Sequence, residues 1–244
     1  MVDLHAHILP GIDDGPASIE ESIQMSRLAF QDGIRTIVAT PHIGKFPNTR
    51  EIISEKVNQL KERLRLENIN IELLFGSDLE FSAEIFSFIG NKSVVTINNS
   101  RYLLLDIPHS LMPPNVERHI ERMLELGIVP IIAHPERCIQ IQEDLNILYS
   151  LVKAGAILQI TASSILGKIG SKAEEVARNI LKRGLAHVIA TDTHGLNKRR
   201  PLLREAVEIA SGIVGRDAVL AMVTTTPRDI IDNKPLTLPK PSCP

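Results

Sequence analysis

The chain is short of several things that would have decided its class. It has only two cysteines, Cys138 and Cys243, in 244 residues. Two cysteines make no disulfide framework, so a reducing cytoplasm is the default compartment. No apolar run approaches the roughly 18 residues of a membrane span. Met1 leads straight into a strand-like stretch, without the basic segment and apolar core of a signal peptide. A cytoplasmic protein with no membrane insertion is therefore expected. Charge of neither sign is in excess: 27 basic against 29 acidic residues leave a net charge of −2. That balance gives no electrostatic footprint for nucleic acid or an anionic membrane. No glycine-rich phosphate or dinucleotide loop follows the first strand. No Cys-x5-Arg loop follows Cys138, which excludes a cysteine-dependent phosphatase.

What is present is a repeated strand ending. Val2-Asp3-Leu4-His5-Ala6-His7 and Thr36-Ile37-Val38-Ala39-Thr40-Pro41-His42 both run from apolar residues into imidazoles. Leu73 to Glu80, Tyr102 to Asp106, Pro130 to His134 and Val188 to His194 end on carboxylates, histidine or both. Between them lie amphipathic stretches that close on glycine, at Gly33, Gly127, Gly155 and Gly184. Ser18 and Glu21 form a capping box for a helix over 18–31. Further helices are expected over 49–67, from after Pro114 to Gly127, and over 143–154, 171–183, 202–211 and 217–223. Strand–helix alternation implies parallel strands with right-handed crossovers. Seven strands are counted, the sixth over 156–161. The expected fold is a distorted seven-stranded (β/α) barrel over residues 1–232, followed by a proline-rich tail over 233–244. A doubly wound sheet is the rival. It is disfavoured because candidate ligands follow nearly every strand rather than the few at a switch point.

In a parallel barrel all strand C-termini share one face. His5 and His7 alternate on one strand, as do Asp192 and His194, so each pair faces one side. Imidazoles and carboxylates gathered this way are metal ligands, and this many suggest more than one ion. Each has a bland alternative: Glu80 as a helix-terminal charge, Asp106 as a turn cap, His134 as a core histidine. All of these together would leave many ionisable groups at one barrel mouth without partners. His119 is read as a solvated helix residue, His187 as a strand-start residue away from the site, and His109 as a candidate to enter the pocket.

The order His5-x-His7, His42, Glu80, His134, Asp192-x-His194 resembles the polymerase and histidinol phosphatase (PHP) superfamily, distorted seven-stranded barrels with a trinuclear metal site. The segments 3–16, 33–42 and 131–137 resemble the bacterial manganese-dependent protein tyrosine phosphatases of capsule and exopolysaccharide loci. Asp106 departs from that pattern, which has glutamate there. The resemblance implies a first ion on His5, His7, Glu80 and Asp192. It places a second on Glu80, Asp106 and His134, and a third on His42, His194 and one of Asp13 and Asp14, with Asp14 favoured. It implies Mn²⁺, with Fe²⁺ or Zn²⁺ also compatible with the donors. It gives Arg137 and Arg199 the role of phosphate-binding residues, while Lys198 and Arg200 read as solvated. His42 and His109 are candidates for a general acid. The implied substrate is a phosphotyrosine-bearing protein, such as a tyrosine kinase of polysaccharide synthesis. The helix over 18–31, with Glu20, Glu21 and Arg27, could serve as a homo-oligomer interface. The competing readings are histidinol-phosphate phosphatase, or another small-molecule phosphomonoesterase on the same barrel, and a non-catalytic regulatory subunit that keeps the barrel.

Overall fold

Glycine exits from helices set the rhythm of the fold. Helix α1 (Ile19–Asp32) ends on Gly33 at φ +100°, and the backbone N–H of Gly33 bonds back to Ala29 and Phe30. A Cβ-bearing residue in that left-handed conformation costs roughly 1–2 kcal/mol. At the other end of α1, Ser18 accepts from Glu21 N, and the Glu21 carboxylate reaches back to Ala17 N. The computed structural model of the chain describes residues 1–82, 84–91 and 93–236.

All seven expected strand stretches carry strand, and two of them are broken. The second is divided into β2 (Thr36–Ala39) and β3 (His42–Ile43), with Pro41 between them, a residue with no N–H to give a ladder. The third is divided into β4 (Glu72–Phe75) and β5 (Asp78–Glu80) at Gly76-Ser77. With β1 (Val2–Ala6), β6 (Tyr102–Asp106), β7 (Val129–Ala133), β8 (Ile157–Thr161) and β9 (Val188–Ala190) there are nine segments among the described residues, all paired in parallel. They form a three-stranded sheet, β1-β2-β4, and a six-stranded sheet, β3-β5-β6-β7-β8-β9. The strands of the expected distorted barrel are thus divided between two parallel sheets. Among the described residues no continuous ladder closes them. β1 meets the chain beyond β9 through a single bridge, Ala6 to Thr193, with His7 N donating to Thr193 O and Asp192 N to His5 O, both at 2.9 Å. The buried Asp3 carboxylate fastens the same seam, accepting from Thr191 N at 2.9 Å and Thr191 Oγ1 at 2.5 Å.

The remaining helices are α2 (Arg50–Leu66), α3 (Ile85–Gly90), α4 (Val116–Glu125), α5 (Ile139–Glu143), α6 (Asn146–Lys153), α7 (Ala162–Ile165), α8 (Ser171–Lys182), α9 (Arg204–Val214), α10 (Arg216–Val223) and α11 (Thr225–Ile231). The helix expected over 143–154 is α6, and α3, α5, α7 and α11 were not expected. No helix among the described residues is long and apolar enough to cross a membrane. The tail begins pinned rather than free: Tyr102 Oη donates to Lys234 O, and Asn233 Oδ1 accepts from Arg101 N at 2.9 Å. Residues 237–244, including Cys243, lie outside the described residues.

Alternation along the strands divides the core and aims the site. Leu103 and Leu105 of β6 join the large cluster against the helices. Tyr102 and Leu104 face the other way, into an inner cluster with Leu4, Ile131, Val188, Ala190 and α11's Ile230 and Ile231. One more step of period two along β6 puts Asp106 above Leu104, and the same step beyond Ala190 reaches Asp192. Polar strand ends therefore stand on a floor of buried apolar side chains.

Candidate metal centre

Three histidines are fixed through one ring nitrogen and left open at the other. His5 Nδ1 lies 2.9 Å from Gln159 Oε1, His7 Nδ1 lies 2.8 Å from Asp13 Oδ2, and His194 Nδ1 lies 2.9 Å from the Asp192 carbonyl. Each partner is an acceptor, so each Nδ1 carries the proton and each Nε2 presents a lone pair. The His5 and His7 Nε2 atoms converge to 3.2 Å. Two lone pairs meeting at that distance suit a shared cation. Gly15 seats the loop that supplies Asp13, because a Cβ there would lie 2.8 Å from His7 O.

Carboxylates close in on these imidazoles. Asp192 Oδ1 is 3.3 Å from His5 Nε2 and 3.5 Å from His7 Nε2. Asp78 Oδ2 is 3.3 Å from His42 Nδ1 and 3.7 Å from His5 Nε2. Asp14 Oδ1 is 3.3 Å from His194 Nε2 and 3.6 Å from His42 Nε2. Asp106 Oδ1 is 3.6 Å from His134 Nε2. Ligand atoms lie within 4.8 Å of one another in the groups His5–His7–Asp78, His5–His134–Asp192, His7–Asp14–His42–His194, His42–Asp78–Asp106 and Asp106–His109–His134.

Eight of the nine expected metal residues are brought together: His5, His7, Asp14, His42, Asp106, His134, Asp192 and His194. Glu80 is not among them. It is paired with Asp106 across β5 and β6, at the rim, and its side chain is exposed. The carboxylate among the imidazoles is Asp78, one step of period two deeper on the same strand face, fully buried, with both oxygens unpaired by hydrogen bonds. Asp78 occurs in two of these groups, the shared position that the resemblance implied for Glu80. Asp14 lies in the group with His7, His42 and His194, while Asp13 holds His7 and accepts from His42 N at 3.2 Å. Gln159 was not foreseen, although a glutamine inside the apolar run 156–160 marks an inward polar position. His119 is not simply solvated; its ring packs on Phe86 at 5.5 Å.

The electrostatics fit a cation. Burial and the charge of Asp78 push the Asp106 carboxyl up to about 8. A carboxyl held protonated at neutral pH marks a cluster short of positive charge. Burial pushes His134 well below the usual histidine range and His7 down to about 4, keeping both neutral as ligands must be. Burial works to raise Asp192, but His5 and Arg137 outweigh it and hold the carboxylate well below its usual range. His134 and Asp192 also have positive φ, +33° and +50°, backbone strain that residues at functional sites often carry.

Arg137 and Arg199 both flank Asp192. Arg137 Nη2 approaches Oδ2 to 2.7 Å without hydrogen-bond alignment, so its Nε and Nη2 protons have no acceptor. Arg199 Nη1 donates to the same oxygen at 3.2 Å. His109 is exposed, with its ring 5.6 Å from that of His134.

Residues 1–232 match the family described as capsular polysaccharide synthesis, CpsB/CapC. The chain belongs to that family. It is 34% identical over 211 residues to the tyrosine-protein phosphatase YwqE of Bacillus subtilis (strain 168), covering 86% of this chain and 83% of that protein. A solved structure described as YwqE from Bacillus subtilis and CpsB from Streptococcus pneumoniae, unique metal-dependent tyrosine phosphatases, superposes with a TM-score of 0.94. The two chains are 32% identical, and the match covers 99% of this chain and 98% of the other. The histidinol phosphate phosphatase of Lactococcus lactis, solved with zinc, L-histidinol and phosphate, is similar in fold alone, with a TM-score of 0.55, 15% identity, and coverage of 88% and 93%.

Proposed function

We propose that this protein is a metal-dependent protein tyrosine phosphatase. The observation that carries the reading is the convergence of the His5 and His7 Nε2 lone pairs, 3.2 Å apart, beside the unpaired carboxylate of Asp78. His5, His7, Asp78 and Asp192 would hold one ion. Asp78, Asp106 and His134 would hold a second, and Asp14, His42 and His194 a third. Imidazole and carboxylate donors suit Mn²⁺, Fe²⁺ or Zn²⁺, and Mn²⁺ is the ion proposed. When bound, such cations supply an acidified water and positive charge against the phosphoryl oxygens.

The chain's own residues do the rest. The guanidiniums of Arg137 and Arg199 grip the phosphoryl oxygens, their planar forks suited to two contacts each. Their charge also balances Asp192. Hydrolysis breaks the bond between phosphorus and the ester oxygen and releases inorganic phosphate and a phenol. Phenolate, with a pKa of about 10, needs less help from an acid than an alkoxide. His42 is engaged through both ring nitrogens, so exposed His109 is the better placed of the two candidate proton donors. The substrate is a phosphotyrosine-bearing protein, for which a tyrosine kinase of polysaccharide synthesis is the proposed identity.

The test compares phosphate release from a phosphotyrosine peptide and from histidinol phosphate by the Mn²⁺-loaded protein. Preference for the peptide is expected. Preference for histidinol phosphate would overturn the substrate assignment, and no release from either would overturn the phosphatase reading.

A further inference from the structure

Nothing in the metal cluster or the two arginines distinguishes one phosphate monoester from another, since all of these groups address the phosphoryl end. Selection of the organic half must come from the wall beside them. The chain is poor in material for such a wall, with six phenylalanines, two tyrosines and no tryptophan. Most of these rings are used elsewhere. Phe81 and Phe86 pack on His119, Arg35 covers Phe30, and Tyr102 closes the bottom of the inner core.

Phe46 is different. Its ring lies 6.0 Å from that of His42 and within 9° of parallel to it. It continues outward a row of rings that runs from His109 through His134, His5 and His7 to His42. Among the described residues it is the one phenyl ring that neighbours an imidazole of the cluster. It is half-buried, so part of it remains open to a ligand. Its loop is held in place. Asn48 Nδ2 donates to His42 O at 2.8 Å and to Ile12 O at 2.9 Å, and Gly44, at φ +82°, turns the chain against Phe88. A fixed, half-open ring costs little entropy to use as a binding surface.

We propose that Phe46 is a specificity-determining residue that packs against the phenyl ring of an aryl phosphate and so favours phosphotyrosine over alkyl phosphates. This rests on the phosphatase reading above. A tyrosine ring on the ester oxygen carries an apolar face out from the phosphoryl group, where Phe46 stands. The short methylene of phosphoserine offers no such face.

The experiment is calorimetric binding of two inert phosphoryl mimics, phenylphosphonate and methylphosphonate, to Mn²⁺-loaded protein. The variants are Phe46→Leu, which keeps apolar volume beside His42, and Phe46→Tyr, which restores a ring. Phe46→Leu should weaken phenylphosphonate by about 2- to 10-fold, the range an aromatic pair is worth. Methylphosphonate affinity and bound Mn²⁺ should stay at wild-type values, and Phe46→Tyr should recover phenylphosphonate binding. Equal losses for both phosphonates would overturn the proposal, because Phe46 would then only be supporting His42. So would an unchanged phenylphosphonate affinity. Wild-type protein that binds neither phosphonate would overturn the phosphatase reading itself, and this inference with it.

Discussion

Gln159 sits on β8 with its amide oxygen 2.9 Å from His5 Nδ1, and both side chains are fully buried. Gln159→Leu removes the acceptor and leaves His5 two poor choices. It can keep its proton on Nδ1 as a buried, unpaired donor, at about 1–3 kcal/mol. Or it can move the proton to Nε2 and lose the lone pair that faces His7. Either way the loaded site suffers, and loss of such an outer partner typically weakens metal affinity 10- to 100-fold, about 1.4–2.8 kcal/mol. The stability of the metal-free fold should move much less. Gln159 Nε2 is itself buried without a partner, so leucine also removes an orphaned donor worth about 1–3 kcal/mol in the opposite sense. Gln159→Glu keeps an acceptor and should retain metal binding. The assay is calorimetric titration of chelator-stripped protein with Mn²⁺, beside urea unfolding of the same metal-free samples. At least tenfold weaker binding with a nearly unchanged urea midpoint is expected. Wild-type affinity in Gln159→Leu would refute it, as would a loss of affinity matched by an equal loss of metal-free stability.

Asp78→Asn should cost more than one equivalent of bound metal by mass spectrometry while Glu80→Gln keeps the wild-type content; the reverse pattern would restore Glu80 as the shared ligand. Arg137→Ala and Arg199→Ala should each lower kcat/KM on a phosphotyrosine peptide about 10- to 150-fold, from charge-assisted contacts of about 1.5–3 kcal/mol, with metal content unchanged. Lys198→Ala is the control, and damage there equal to that of Arg199→Ala would remove the assignment. His187 Nδ1 accepts from Leu158 N at 2.9 Å, and burial pushes the imidazole from 6.5 down to about 4. Its neutral form therefore contributes in full above pH 6.5, and about 3 kcal/mol is lost as pH falls from there to 4. Urea unfolding of His187→Asn should show a flatter decline across that window, and identical slopes for variant and wild type would place the acid sensitivity elsewhere.

Much of this was legible because period-two alternation and strand-end chemistry are local. His5 and His7, or Asp192 and His194, declare their common face by spacing alone. So do the capping box at Ser18 and the exit at Gly33. Depth along a strand is not local. Asp78 and Glu80 share a face and differ only in how far β5 carries each toward the rim, which depends on the register Glu80–Asp106 set by β6. The breaks at Pro41 and Gly76 were visible as residues but not as divisions between two sheets, since hydrogen-bond partners are chosen in three dimensions. The left-handed backbone at His134 and Asp192 left no sequence trace, because neither residue type demands it.

If phosphoryl transfer depends on cations held by this strand-end cluster, bound metal and activity must move together. The most direct measurement follows bound metal and phosphotyrosine-peptide hydrolysis in one sample, through exhaustive chelation and stepwise return of Mn²⁺. Activity should vanish with the metal and return in proportion to the ions rebound. Full activity in protein verified free of metal would contradict the account.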